Sequence, residues 1–171
     1  VTGTTLWANK NSMPADKLKV TVDGKNALLD IKNGGAVNFY MANGETAKVG
    51  ADGIVNVEDN STFNVASRDA AGTVTLANSG IINIKHAATV AGVLTNNGAI
   101  NFTSLDATLT TPTEGLVITH NFADRYKVVY REGVYQFGDF VAEIDGVYYE
   151  TIEEALLALT DNATLKFLND V

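Results

Sequence analysis

Few residues of this chain have the types and spacing that catalysis requires. The 171-residue sequence contains two histidines, His86 and His120, and no cysteine, so disulfides and Cys-ligated metals are excluded. His120 and Asp124 are four residues apart, but no helical pattern places them on one face. We therefore expect both histidines to be surface or corner residues without a catalytic or metal-binding role.

The acidic residues are scattered, and a single short region has the composition of a calcium loop. Asp52, Glu58, Asp59 and Asn60 lie close together in the sequence and offer oxygen ligands of the kind that Ca²⁺ prefers. Solvated acidic turns explain the same residues, and we prefer that interpretation. We predict no catalytic residue, no cofactor and no structural metal.

The aromatic residues are candidates for ligand contact. Trp7 is the one tryptophan, and it suits either sugar stacking or packing of the N-terminal edge. Five of the six tyrosines fall in the last third of the chain: Tyr126, Tyr130, Tyr135, Tyr148 and Tyr149. These tyrosines suit contact with glycans or a partner, and they equally suit cross-strand aromatic pairing.

Composition narrows the class of protein. The net charge is −8 without a basic stripe, which makes nucleic acid a poor partner. No apolar run approaches the ~20 residues of a membrane span. Fifteen glycines, two prolines, and short Val, Ile and Thr runs bounded by Gly, Asn and Asp are typical of strands and turns.

A short motif recurs along the first two thirds of the chain. It reads glycine, two apolar residues, asparagine and one apolar residue, and it begins at Gly35, Gly53, Gly80 and Gly98. The interval from Gly35 to Gly53 equals the interval from Gly80 to Gly98, and the interval from Gly53 to Gly80 is one and a half times as long. Weaker copies lie between them, so the pattern predicts a strand roughly every 8 to 11 residues, with similar strands recurring at every second one.

This periodicity predicts a parallel β-solenoid. In each strand the side chains of one parity are apolar and form the core: Val37 with Phe39, Val55 with Val57, Ile82 with Ile84, and Ile100 with Phe102. The glycines belong at corners, where φ > 0 or the close approach of the next coil excludes a Cβ. The mid-strand asparagines point outward, and a single amide ladder is expected from Asn38, Asn56, Asn83 and Asn101. Ile54 and Ile81 share the asparagine parity, so we assign them to the corners.

An antiparallel sandwich of short strands is the alternative, since it also places turns about every 8–12 residues. The constant offset from glycine to asparagine favours the solenoid. The stretch "TNNGAINFTSLDATLT" also resembles the passenger repeats of bacterial surface and autotransporter-type β-helix proteins.

The pattern changes after about Thr113. Two alternating strands, Tyr126–Tyr130 and Val134–Phe137, flank a glycine turn, and Asp145-Gly146 predicts a second hairpin. Thr151 and Glu154 form a capping box that opens a helix, which we expect to end at Asp161-Asn162. The apolar stripe of that helix is Ile152, Ala155, Leu156 and Leu159. "ATLKFL" is a further strand with Leu165 and Phe167 on one face.

The stretch from Phe140 to Val171 resembles a module of extracellular bacterial proteins that reads "Y-x-T-L-x-E-A", helix, polar turn, "T-I-x-L-L-x-D". The matching residues are Ile144, Gly146, Tyr149, Thr151, Ile152, Glu154, Ala155, Asn162, Thr164, Leu165, Leu168 and Asp170. In that family the segment opens a right-handed β-helix and the short helix plugs its end. The resemblance implies architecture and an extracellular location more than an activity.

The sequence thus predicts an all-β solenoid over residues 1–112, followed by a hairpin-and-helix module over 113–171. We expect a non-enzymatic structural or adhesive component of a bacterial cell surface, such as a stalk, filament subunit or adhesin segment. The alternative is a carbohydrate-binding or carbohydrate-cleaving β-helix. Expected partners are a second copy, end to end, and glycans or a host surface. Trp7, Leu165 and Phe167 are the candidate interaction residues.

Overall fold

The computed structural model describes residues 5–8 and 21–168, with side chains for residues 21–168. The chain is mostly β structure, with one helix in the described part, and it forms two compact units. The first unit comprises the described residues up to His120 together with Tyr130–Gln136. The second comprises Asn121–Val129 and the described residues from Phe137 onward. The first unit therefore extends beyond residue 112, where the sequence places the boundary.

The first unit is a parallel β-solenoid. Its strands are β1 (Thr5–Ala8), β2 (Thr21–Val22), β3 (Leu28–Ile31), β4 (Ala36–Met41), β5 (Thr46–Val49), β6 (Ile54–Val57), β7 (Thr62–Ser67), β8 (Thr75–Asn78), β9 (Ile81–Ile84), β10 (Ala87–Val90), β11 (Val93–Asn96), β12 (Ala99–Phe102) and β13 (Thr108–Thr110). Sheet 1 contains β2, β5, β8 and β11; sheet 2 contains β3, β6, β9 and β12; sheet 3 contains β1, β4, β7, β10 and β13. The neighbours in each of these sheets pair in parallel, which confirms the predicted fold class and excludes the sandwich for this unit.

Each coil has three strands, one in each sheet, so similar strands recur at every third strand rather than at every second. Gly53, Gly80 and Gly98 precede strands of sheet 2, and each of the two steps between them is one whole coil, the first longer than the second. Gly35 precedes β4, which lies in sheet 3. The step from Gly35 to Gly53 therefore joins two different sheets. The motif describes any short strand after a corner, and for this reason it does not distinguish the sheets.

The predicted core is confirmed. The inward residues of all three sheets are buried, and the largest fully buried side chains include Phe63, Phe102, Ile31, Ile84 and Ile100. In sheet 2, Val55, Ile82 and Ile100 occupy equivalent places in successive coils. Each fully buried side chain of this size contributes about 1.5–3 kcal/mol. A coil of three short strands cannot cover these residues alone, and stacking supplies the cover.

The glycines that precede the sheet 2 strands are required by coil stacking. A Cβ on Gly53, Gly80 or Gly98 would lie 2.0, 2.2 or 2.1 Å from a carbonyl oxygen of the preceding coil. For Gly80 and Gly98 that oxygen belongs to the equivalent glycine one coil earlier, Gly53 or Gly80. None of the three has a positive φ. Close approach of the backbone, rather than left-handed geometry, is therefore the reason for glycine here.

The second unit is built from hairpins. Its strands are β14 (Tyr126–Arg131) and β15 (Val134–Asp139), whose tip belongs to the first unit, and β16 (Ala142–Ile144), β17 (Val147–Tyr149) and β18 (Leu165–Phe167). Both predicted hairpin turns form, and Glu132-Gly133 and Asp145-Gly146 each have two consecutive positive φ angles. This geometry is the type I′ turn that matches strand twist. β16 lies between β17 and β18 and pairs with both in antiparallel fashion.

The helix α1 (Ile152–Ala158) begins as predicted and ends early. Thr151 is the N-cap, and its hydroxyl accepts a hydrogen bond from the Glu154 N–H at 3.2 Å. The helix ends at Ala158, before Asp161-Asn162. Ala155 is its buried residue and packs with Ala142 and Ile144 in the core of this unit. The predicted apolar stripe is wrong in part, because Leu156 and Leu159 are exposed.

Candidate functional site

The outer face of sheet 2 carries a ladder of amide side chains. Asn83 donates from Nδ2 to Oδ1 of Asn56 at 2.9 Å, and Asn101 donates in the same way to Asn83 at 2.8 Å. Thr119 continues the ladder by donating its hydroxyl hydrogen to Oδ1 of Asn101. Every bond runs toward the preceding coil. Asp30 stands opposite Asn56 in the strand register and is the first residue of this row.

Asn38 does not belong to that ladder, which corrects the expected single row of four asparagines. It lies in sheet 3, where Nδ2 of Asn64 donates to its Oδ1 at 2.6 Å. Unlike the sheet 2 amides, Asn38 is buried. The asparagine pairing of sheet 3 is therefore separate from the ladder of sheet 2.

A third amide contact lies at the corner after β8. Asn78 is buried and donates from Nδ2 to Oδ1 of Asn96 at 2.7 Å and to the carbonyl of Ala99 at 3.1 Å. Its own Oδ1 accepts from the Gly80 N–H at 3.2 Å. These bonds satisfy a buried polar side chain, and they hold the corner in which Gly80 approaches the preceding coil.

An apolar row runs beside the sheet 2 ladder. Leu28, Ile54, Ile81 and Ala99 are opposite one another in the register and begin their strands. Leu28 is 57% exposed and Ile81 38% exposed, and Ile54 and Ala99 are half-buried. The assignment of Ile54 and Ile81 to the corners is therefore wrong, because both are strand residues with outward side chains. This face has one row of aliphatic side chains and one row of amides.

The acidic residues near the corner after sheet 2 form ion pairs with lysines. Lys85 Nζ lies 2.8 Å from a carboxylate oxygen of Asp59 and 3.8 Å from one of Glu58. Lys32 Nζ lies 2.8 Å from Asp30. The hydrogen bond to the Asp59 carboxylate raises the pKa of Lys85, and the hydrogen bond to the Asp30 carboxylate raises the pKa of Lys32.

These ion pairs involve residues that the sequence offers as calcium ligands. Asp52 lies at the turn before β6, whereas Glu58 and Asp59 follow that strand and are engaged by Lys85. Within the described residues there is no group of three acidic or histidine side chains arranged to hold a metal. The residues named as calcium ligands are thus split between two corners.

The two histidines have separate surroundings. Nδ1 of His86 lies 3.1 Å from the carbonyl oxygen of Ser61. Because that oxygen can only accept, Nδ1 carries the hydrogen in this contact. His120 belongs to the first unit and Asp124 to the second.

Tyrosines of the first hairpin hold the segment that follows β13. The Tyr135 hydroxyl donates to the carbonyl of Thr113 at 3.0 Å and accepts from the Leu116 N–H at 2.9 Å. The Tyr130 hydroxyl donates to the carbonyl of Thr111 at 2.9 Å. Burial raises the pKa of Tyr130, and the carboxylate of Glu114 adds to the effect. These two tyrosines fix a chain segment.

Two tyrosines of the second unit, Tyr126 and Tyr148, pack against other aromatic or cationic groups. Tyr126 meets Phe137 edge to face, with ring centroids 6.4 Å apart, and Tyr148 meets Phe140 at 5.7 Å. Lys127 lies over the Tyr148 ring, 4.7 Å from its centroid. Both contacts between rings join neighbouring strands or their ends, as cross-strand pairing requires.

The same segment closes the solenoid after its last coil. β15 pairs with β13 in antiparallel register at the edge of sheet 3. The Thr119 backbone bridges β12 in sheet 2, donating to Ile100 and accepting from Phe102, each at 2.9 Å. The Thr113 hydroxyl accepts from the Leu94 N–H of sheet 1 at 2.9 Å. All three sheet edges at this end therefore carry hydrogen bonds from the chain itself.

The sequence reasoning missed this closure, although one signal was present. Thr119 follows Asn101 by the same number of positions as Asn101 follows Asn83. A threonine in place of asparagine, and a glycine that lies one position earlier than in the other copies, at Gly115, concealed this copy of the repeat. Tyr135 and Thr113 carry no such signal, because their roles depend on the fold of the hairpin.

The candidate interaction residues lie in different settings. The backbone of Trp7 is opposite Asn38 in the register of β1 and β4, and its side chain lies outside the described residues. Leu165 is half-buried in the core of the second unit, and Phe167 on the same strand is 48% exposed. No helix in the described part has the length and apolarity of a bilayer span.

No protein-family model matches this chain, and neither a curated protein nor a solved structure is significantly similar to it. Its function therefore has to be inferred from the geometry of the two units themselves.

Proposed function

We propose that this chain is a non-enzymatic structural or adhesive component of a bacterial cell surface, serving as a spacer or adhesin segment outside the cell. The observation that carries the proposal is the stack of coils that bears an amide ladder on the outer face of sheet 2. Four strands of sheet 2 repeat the same inward and outward positions, and amide hydrogen bonds join β6 to β9 and β9 to β12. A stack of this kind transmits load along its axis and offers a regular surface.

The charged groups support the same proposal. A polysaccharide-cleaving site needs carboxylates or bases free to meet the substrate. The carboxylates beside the sheet 2 ladder are instead paired with Lys32 and Lys85. Such pairs are typical of a solvated structural corner.

Closure of the solenoid after β13 changes the proposed mode of self-association. A second copy could add to that end only by displacing β15, Thr119 and Thr113. Strand addition is better served by β18, because the sheet order places β18 at an edge. We therefore assign the self-association surface to β18, with the exposed Phe167 as its apolar contact.

Two measurements test the cell-surface role. An antibody against the chain is expected to label intact cells of the source organism, and labelling only after lysis would overturn the proposal. Incubation with a panel of polysaccharides is expected to release no new reducing ends. Sustained release by the purified chain would show that it is an enzyme.

Light scattering across a concentration series tests the β18 assignment. We expect the mass to rise with concentration for the wild type and to stay at one chain for Phe167→Lys, because an edge lysine opposes strand pairing. The matched control is Val117→Lys, on an exposed residue of the first unit. A wild type that stays monomeric, or equal association of both variants, would contradict it.

A further inference from the structure

We infer that the outer face of sheet 2 binds an uncharged, linear polysaccharide whose chain lies along the solenoid axis. This inference rests on the proposed adhesive function and names its ligand. The face consists of the apolar row Leu28, Ile54, Ile81 and Ala99 and the polar row Asp30, Asn56, Asn83 and Asn101. Both rows point outward, and the apolar row is partly to largely exposed.

The face is small for a stable contact with another protein. Four strands of four residues cover about 20 Å by 13 Å, or roughly 250 Å². A stable protein–protein interface needs about 800 Å² from each partner. A narrow polymer, one repeating unit wide, can instead contact both rows of side chains at once, because the rows are about 7 Å apart.

Charge argues for a neutral ligand. The chain has a net charge of −8, which repels polyanions. Within the two rows the one ionisable side chain is Asp30, at the first coil, where Lys32 pairs with it. The other residues of the face are aliphatic or amide side chains, which suit a ligand without charge.

The amides keep hydrogen-bonding capacity for a ligand. An Asn side chain has two N–H donors and two acceptor lone pairs. Within the described chain, the ladder uses one donor and one acceptor of Asn83, for Asn56 and Asn101. One N–H and one lone pair remain, which matches a sugar hydroxyl because it both donates and accepts. The ladder bonds also hold the amides in one orientation before the ligand arrives.

The spacing of the rows is regular. Adjacent strands lie about 4.8 Å apart, so each row presents an equivalent side chain at that interval. This interval is close to the length of one pyranose ring in an extended β-linked chain. The C–H faces of the rings would lie on the aliphatic row and their hydroxyl edges on the amide row.

A co-sedimentation assay with matched variants tests the inference. The probes are microcrystalline cellulose and chitin as neutral polymers, with polygalacturonate as the anionic comparison. Ile81→Lys places a charge in the apolar row of sheet 2. Val93→Lys is the control, because Val93 also begins a strand, points outward in sheet 1, and has a similar exposure of 43%.

We expect the wild type to sediment with at least one neutral polymer, Ile81→Lys to bind roughly tenfold more weakly, and Val93→Lys to bind as the wild type does. Melting curves establish that each variant is folded. Ile81→Thr keeps the strand propensity, and its binding is measured as a second test of the apolar row. Binding to neither neutral polymer, preference for polygalacturonate, or equal loss in both lysine variants would overturn the inference. Cell-surface labelling is independent of this assay, so failure here leaves the proposed function separately testable.

Discussion

The solenoid and the hairpin-and-helix unit use their apolar residues in different ways. In the solenoid, each coil covers the inward residues of its neighbour, and Val55, Ile84 and Val65 are almost wholly buried. In the second unit, a three-stranded sheet and a seven-residue helix cover only a small core, and Leu157 stays 89% exposed. Stacking of identical elements thus buries side chains more completely than docking of one short helix. Stability in the first unit depends on the fit between coils, and in the second on turns and caps.

The largest loss of stability is expected from Gly80→Val, which disrupts the close packing of one coil on the next. A Cβ at this position would lie 2.2 Å from the carbonyl oxygen of Gly53 and 2.3 Å from that of Gly50, and the backbone has to move. We expect the free energy of unfolding to fall by about 3 kcal/mol or more, since overpacking at backbone contacts is costly. Chemical denaturation measures the change.

Gly133→Ala is the control for that substitution. Gly133 has a φ of +85° and open space where a Cβ would stand. Its loss should be about 1 kcal/mol, from backbone strain alone. An equal effect of both substitutions would show that coil contact is not what requires glycine at position 80.

A smaller loss is expected when the ladder is interrupted. Asn83→Leu removes two side-chain hydrogen bonds and leaves Asn56 and Asn101 without this partner. At ~0.5–1.5 kcal/mol per bond, and with water reaching the half-buried amides, we expect a loss of about 1–2 kcal/mol. Thr95→Ala, on an exposed residue of β11, is the control and should be nearly neutral. Unchanged stability of Asn83→Leu would show that the ladder does not stabilise the stack.

The corresponding test of the second unit removes a cap. In Thr151→Ala the Glu154 N–H loses its acceptor, and N-cap substitutions of this kind cost about 1 kcal/mol. Hydrogen exchange should accelerate for the amides of α1 and remain slow for those of β6 and β9. Thr151→Ser, which keeps the hydroxyl, should behave as the wild type. Acceleration in both units together would show that they unfold as one.

The smallest effect is expected from metal removal. Because Glu58 and Asp59 are paired with Lys85 and Asp52 lies at another turn, EDTA should leave the melting temperature of both units unchanged. Calcium added after dialysis is the control. A rise of several degrees with calcium would show that the acidic corner is a metal site after all.

Much of the architecture was predictable because it follows from local rules. The alternation of Val55 with Val57 and of Ile82 with Ile84 determines which side chains face inward, since strand side chains alternate. The Asp145-Gly146 pair predicts its hairpin because both residues take positive φ at low cost. The Thr151 hydroxyl predicts the start of α1 through one hydrogen bond three residues away.

Other features depended on contacts between coils. Asn38 and Asn56 occupy the same place in the motif, yet one lies in sheet 3 and the other in sheet 2, because the number of strands per coil is a property of the closed coil. The sequence places Ile81 at a corner, but pairing with Ile54 of the preceding coil makes it a strand residue. Its outward direction follows from the local alternation with Ile82.

The sequence by itself determined the short strands, their inward side chains, the turns and the helix start, because each depends on residues that are near one another in the chain. The tertiary structure decided which asparagines form a ladder and how the last coil is closed by Thr113, Thr119 and Tyr135. These contacts join residues 18 to 27 positions apart. Their partners are chosen by the stacking of whole coils, in which each hydrogen bond is weak and the buried core sets the register.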